Sequence, residues 1–134
     1  MGTRSLTVFS DTWEDEEIAV FYRQFDGYPE GHGTDLLNLL KDMSIVNGMN
    51  SKNMKSKIAN GMDCLAAQVV AHFKDGPGNF YLYKAGTRDV CEEFIYTLYH
   101  KCGDLFVKVE DTYDGGHDLF DGNLEEYESW IKER

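Results

Sequence analysis

Hydrophobic and polar positions alternate along the chain in a way that divides it into strand-like and helix-like stretches. Residues 4–10 and 18–25 are rich in β-branched and aromatic side chains and flank an acidic stretch, 11–17, which predicts a β-hairpin. Both runs are apolar on both parities, with Leu6, Val8, Val20 and Tyr22 on one and Phe9, Phe21 and Phe25 on the other. A sheet covered on both sides, by helices or by a second subunit, is therefore expected. Residues 26–33 hold three glycines and a proline and predict a structured loop, after which Thr34 or Asp35 caps a short helix with Leu36, Leu37, Leu39 and Leu40 on its apolar stripe. Residues 44–57 are polar and read as an exposed loop with at most a helical turn. Leu65, Val69, Val70 and Phe73 recur at helical spacing over residues 63–74, and Asp75-Gly76-Pro77-Gly78 stops that helix. Strand-like runs follow at 80–84, 93–100 and 105–111, and residues 124–132 place Tyr127, Trp130 and Ile131 on one helical face. The resulting order, ββααβββα, predicts an α+β fold: a mostly antiparallel sheet packed with helices in a single domain, residues 1–134.

Composition agrees with one domain. The chain has 134 residues, 42% of them hydrophobic and 13% aromatic, enough to bury a core despite a formal charge of −11. That charge argues against a partner that is a nucleic-acid polymer or an anionic membrane, since phosphate binding is driven by Lys and Arg releasing counterions. It leaves room for a small anion, because the acid is unevenly spread. Residues 1–34 carry two basic and seven acidic groups, residues 35–90 seven and five, and residues 91–134 four and twelve. No run approaches the roughly 20 apolar residues of a membrane span, the start lacks a signal-peptide apolar region, and Leu6 stands where a myristoylation motif needs Ser or Thr. A cytoplasmic protein is expected. Cys64, Cys91 and Cys102 lack the spacing of a zinc site and read as core thiols in a reducing compartment.

The densest chemistry lies in residues 22–33. Tyr22, Arg23, Gln24, Asp26, Tyr28, His32 and Gly33 bring a guanidinium, an amide, a carboxylate, phenols and an imidazole from a strand end into a glycine-rich loop that enters a helix. Exposed backbone N–H groups and the macrodipole at such a junction favour phosphate or carboxylate. The loop is neither a P-loop nor a dinucleotide fingerprint, because its glycines stand at 27, 31 and 33. Arg4 joins the set: if the hairpin pairs around the acidic turn, it lies opposite Arg23 or Gln24, and two arginines there call for a negative neighbour. That neighbour is either a ligand or Asp26 or Glu30. In the second case Arg23 and Asp26 form an ion pair, His32 is a hydrogen-bond donor at the helix start, and the glycines serve turn geometry.

Other candidates carry less. The acidic cluster 110–122 lacks the alternating oxygens of a calcium loop and reads as a solvated turn with Asp121 or Asn123 capping the last helix, so no metal and no cofactor is expected. His32, His72, His100 and His117 lie in four different elements; a Cys/His nucleophile pair and an Asp26/His32 acid/base unit are both open in principle, and no nucleophile motif or metal triad accompanies either. Tyr81, Tyr83, Tyr96, Tyr99 and Tyr113 suit either stacking on a planar base or packing in a two-sided sheet.

Gly2-Thr3-Arg4-Ser5, then Tyr22-Arg23-Gln24 leading into Asp26-Gly27-Tyr28-Pro29-Glu30-Gly31-His32-Gly33, then Asn60-Gly61-Met62 with Cys64-Leu65-Ala66-Ala67-Gln68, resemble a family of small bacteriophage and prophage proteins over most of the first 85 residues. The resemblance gives no established reaction. It implies a phage-encoded protein of the host-cell cytoplasm, of the class that counters host defence. It also implies a likeness in kind to oligomeric sponges that sequester cyclic-nucleotide or ADP-ribose-like immune signals. Together with the Arg/Gly/His junction, this leads to an expected homo-oligomer that binds a small anionic nucleotide-like ligand through Arg4, Tyr22, Arg23, Gln24, Asp26, Tyr28, His32 and Gly33. Residues 52–57 are expected to complete the pocket across a subunit boundary. Two alternatives stay open: a phosphodiesterase using Asp26 and His32, and an acidic inhibitor docking on a basic host enzyme.

Overall fold

A computed structural model describes residues 2–11, 17–48, 57–101 and 103–134. Among them the chain forms an α+β domain. A six-stranded mixed sheet has the order β5-β2-β1-β6-β7-β8, built from β1 (Ser5–Ser10), β2 (Glu17–Arg23), β5 (Phe80–Tyr83), β6 (Phe94–Lys101), β7 (Asp104–Asp111) and β8 (His117–Asn123). Every neighbouring pair is antiparallel except β1 and β6. A small parallel pair, β3 (Ser44–Val46) and β4 (Ile58–Asn60), stands apart from this sheet.

Helices α1 (Thr34–Leu40), α2 (Gly61–Phe73) and α3 (Leu124–Lys132) pack on one face. Phe9, Phe21, Tyr96, Leu98, Val107 and Val109 supply that face from the strands, against Leu36 and Leu40 of α1, Met62, Leu65, Ala66 and Val69 of α2, and Tyr127 and Ile131 of α3. The second face carries Leu6, Val8, Val20, Tyr22 and Ile95, with Tyr83 and Val90 packed against them. The two-sided apolarity of the first hairpin thus has an internal cause: helices cover one side and the segment bearing Val90 covers part of the other.

Four readings change. Residues 117–123, expected as a solvated turn, form edge strand β8, in which Phe120 packs on Tyr127 and Trp130 while Asp118 faces Lys108 at 3.8 Å. Residues 29–33 are one π-helical turn that runs straight into α1. The polar stretch 44–57 contains β3, whose Ile45 packs on the core, while residues 49–56, including most of the expected pocket-completing segment, lie outside the described residues. Of the expected core thiols, Cys64 is half-buried and packs against the core, Cys91 is exposed, and Cys102 lies outside the described residues. Among the described residues no helix is long and apolar enough to cross a membrane.

Of the two caps expected for the last helix, Asn123 is the one formed. Its Oδ1 accepts from the Glu126 N–H at 2.9 Å, and Glu126 Oε1 accepts from the Asn123 N–H at 2.9 Å, a reciprocal capping box. Asp121 instead accepts from the Tyr99 hydroxyl at 2.6 Å. Asn123→Ala is expected to lower stability by about 1 kcal/mol and Asn123→Asp to retain most of it; urea midpoints at constant slope check both.

Candidate functional site

Arg23 is the last residue of β2 and points to the helix-covered face, opposite Ser5 of β1 and Phe80 of β5. Its side chain is only 10% exposed. Burial of a cation is tolerable only when its donors are engaged, and on two of its three nitrogens they are. Nε donates to the Phe25 carbonyl at 2.6 Å, and Nη1 donates to Asp35 Oδ2 at 2.8 Å and to His32 Nδ1 at 3.1 Å. The guanidinium also lies over the Phe80 ring, 5.2 Å from its centre. Among the described residues, Nη2 has no protein partner.

His32 is completely buried between the rings of Tyr96 and Phe73. Because Arg23 can only donate, Nδ1 must present a lone pair, so the ring proton sits on Nε2 and is donated to Thr7 Oγ1 at 2.7 Å. Burial first, and the Arg23 charge second, push the imidazole down to about 3, so it is neutral at physiological pH.

The glycine-rich loop is packed, not open. Asp26 adopts φ 61°, and its carbonyl accepts from the His32 N–H at 2.8 Å. Tyr96 donates to the Gly27 carbonyl at 2.7 Å and Tyr127 to the Gly33 carbonyl at 2.8 Å. A Cβ at Gly27 would stand 2.7 Å from Ser5 Cβ, and one at Gly31 would stand 2.5 Å from the Asp26 carbonyl oxygen. Close approach of chain to chain, rather than of ligand to chain, accounts for these glycines. The helix-terminal anion site expected at Thr34 is also absent, because the π turn carries the helix further back and the Thr34 N–H is bonded to the carbonyls of Pro29 and Gly31.

The eight expected binding residues therefore separate. Ser5 pairs with Arg23, so Arg4 falls in register with Gln24 and belongs to the opposite face from Arg23. There Tyr22 donates to Gln24 Oε1 at 2.6 Å; burial raises its hydroxyl while nearby Arg4 opposes that rise. Asp26 and Tyr28 sit together at the exposed loop, with 3.3 Å between the Tyr28 hydroxyl and Asp26 Oδ1. Arg23 and His32 alone of the eight share the buried network, with Gly33 on the loop that carries His32, while Tyr22 and Gln24 form a separate pair near Arg4. Arg23 pairs with Asp35, not with Asp26 or Glu30; Glu30 bonds Arg134.

A groove of about 440 Å³ opens where this network reaches the surface. Arg23, Asp35, Asn38, His72 and Asp75 supply its polar lining, and Phe73 and Phe80 supply apolar wall. Asn38 and His72 carried no signal in the sequence beyond a polar position one turn after Asp35 and a lone helical histidine. A second hollow of about 460 Å³ has its one lining cation, Lys41, paired with Glu128 at 3.3 Å, and the other charges on its wall, Asp42, Asp104 and Glu125, are acidic. Among the described residues no group of three or more His, Cys, Asp or Glu could hold a metal ion. Compared with known proteins, the chain matches no family model, no curated protein and no solved structure.

The buried imidazole has a measurable consequence. The unfolded chain takes up a proton near pH 6.5 that native His32 refuses until about pH 3, so its contribution is complete above about pH 6.5 and is lost as pH falls. Between these limits the residue is expected to add a slope of about 1.4 kcal/mol per pH unit to the unfolding free energy. Urea titrations of wild type and His32→Gln at stepped pH check the difference. Imidazole ¹⁵N shifts of the wild type near pH 5 are expected to report a neutral ring protonated on Nε2.

Proposed function

We propose that the protein binds a small nucleotide-derived ligand in the Arg23 groove and sequesters it without cleavage. One observation carries this reading: a guanidinium nine-tenths buried at the groove wall keeps an amino group without a protein partner among the described residues. Two donors held in place before a ligand arrives cost no ordering on binding, and they suit a phosphate or carboxylate oxygen. Asp35, Asn38 and Asp75 can accept from ribose hydroxyls or a base amine, and Phe73 offers an apolar surface to a ring. The volume falls within the usual range for small-molecule sites.

Sequestration fits the chemistry better than cleavage. Among the described residues the groove lining holds no Ser, Thr, Cys or Lys, and both nitrogens of His32 are engaged inside the core, which leaves Asp26 without an acid/base partner. In a homo-oligomer each chain would carry one such groove. The resemblance to small phage proteins supplies the setting, a host immune signal of the cyclic-nucleotide or ADP-ribose type met in the host cytoplasm.

Calorimetric titration with cyclic dinucleotides and with ADP-ribose derivatives tests the reading, followed by heat denaturation and recovery of the ligand. Intact ligand is expected; cleaved ligand would move the protein to the phosphodiesterase reading. Arg23→Gln is expected to weaken binding roughly 10- to 100-fold, the equivalent of one charged hydrogen-bond pair. Unchanged binding in Arg23→Gln would place the ligand elsewhere, and stoichiometric capture of a basic host protein without any small ligand would favour the acidic inhibitor.

A further inference from the structure

β5 is the outermost strand on its side of the sheet, and it exposes Tyr81 and Leu82, at 46% and 61%. The Gln24 N–H donates to the Asn79 carbonyl at 2.7 Å, and the register pairs Tyr22 with Tyr81 and Val20 with Tyr83. In an antiparallel ladder this makes the backbone groups of Asn79, Tyr81 and Tyr83 face β2, so those of Phe80, Leu82 and Lys84 face outward. An outward row of free groups would be a template for another strand.

Much of that row is closed from within the chain. The Phe80 N–H donates to the Gly78 carbonyl at 2.7 Å, and the Lys84 carbonyl accepts from the Thr87 hydroxyl at 2.8 Å. The Phe80 carbonyl accepts from Lys74 Nζ at 2.7 Å, and the same ammonium donates to the Gly78 carbonyl at 3.0 Å and stands 5.4 Å from the centre of the Tyr81 ring. Both groups of Leu82 and the N–H of Lys84 are left without a partner among the described residues.

We propose that β5 is a self-pairing edge held shut by Lys74, and that the partner it fits is a second copy of this chain. A two-fold axis through Leu82 sets the strand antiparallel to its copy, with Leu82 facing Leu82, Tyr81 facing Tyr83 and Phe80 facing Lys84. Leu82 then exchanges two hydrogen bonds with its copy. The next donor, the Lys84 N–H, meets the Phe80 carbonyl, the acceptor that Lys74 occupies. The free groups are thus self-complementary: removal of one ammonium releases one acceptor in each copy and doubles the backbone bonds available. No acidic side chain lies on β5 itself, so the negative charge of the molecule is not concentrated at the join.

Lys74→Met keeps the aliphatic stem and removes the donors. Light scattering after gel filtration, over a concentration series, is expected to show this variant approaching twice the wild-type mass. Adding Leu82→Pro, which lacks the N–H at the two-fold centre, is expected to restore the wild-type mass. Lys74→Met unchanged in mass, or association that survives Leu82→Pro, would overturn the proposal. Amide exchange in the wild type is independent of how the variants fold: Leu82 and Lys84 are expected to exchange rapidly while Tyr81 and Tyr83 are protected, and protection of Leu82 would overturn the proposal.

Discussion

Burial of a single guanidinium organises one end of this molecule. An unpaired cation taken out of water costs several kcal/mol, so Arg23 at the end of β2 can be buried only if the surrounding chain delivers acceptors to it. Three come from separate places: the Phe25 carbonyl from the loop just beyond the strand, Asp35 from the first turn of α1, and His32 from the π turn between them. Each acceptor fixes backbone. The His32 Nδ1 lone pair is available because the ring's one proton sits on Nε2 and is donated to Thr7, and the chain enters the π turn through Asp26 at positive φ. Asp35 in turn anchors α1 to the sheet, and the groove is the gap left between that anchored helix and the end of α2.

The same constraint explains why the glycine-rich loop misleads as a motif. Glycine, proline and a histidine before a helix read as an open anion cradle, and the local chemistry allows it. Tyr96 and Tyr127 decide otherwise, by bonding the carbonyls of Gly27 and Gly33 from β6 and α3. Neither tyrosine stands out in the sequence as a partner of the loop, because each is simply one more aromatic with sheet or helix spacing.

Elements with a strong period were legible. The first hairpin, α2, β6, β7 and α3 follow from alternation, helical spacing and turn residues, and the capping Asn123 follows from its position before Leu124. β8 was obscured because Asp118 and Asp121 dominate a stretch whose Phe120 nevertheless reaches the core, and β3 and β4 are too short to carry a period. At the site, Arg23 and His32 were legible as chemistry but their burial was not, since Thr7 and Asp35 are separated from them along the chain. Arg4 and Arg23 look like a pair in one dimension; a register offset of a single residue puts them on opposite faces of the sheet.

The two tyrosine hydroxyls also determine when the loop that carries His32 can be pinned. The bonds from Tyr96 to Gly27 and from Tyr127 to Gly33 span 69 and 94 residues, among the longest-range polar contacts in the fold. Loops of that length close slowly relative to local helix and hairpin formation. On the ribosome, the residues that line the groove, Arg23 to Phe80, are all made before either tyrosine, and the carbonyls of Gly27 and Gly33 wait first for Tyr96 and then for Tyr127. The loop beneath Arg23 is consequently pinned in two steps, the second only when α3 has been made.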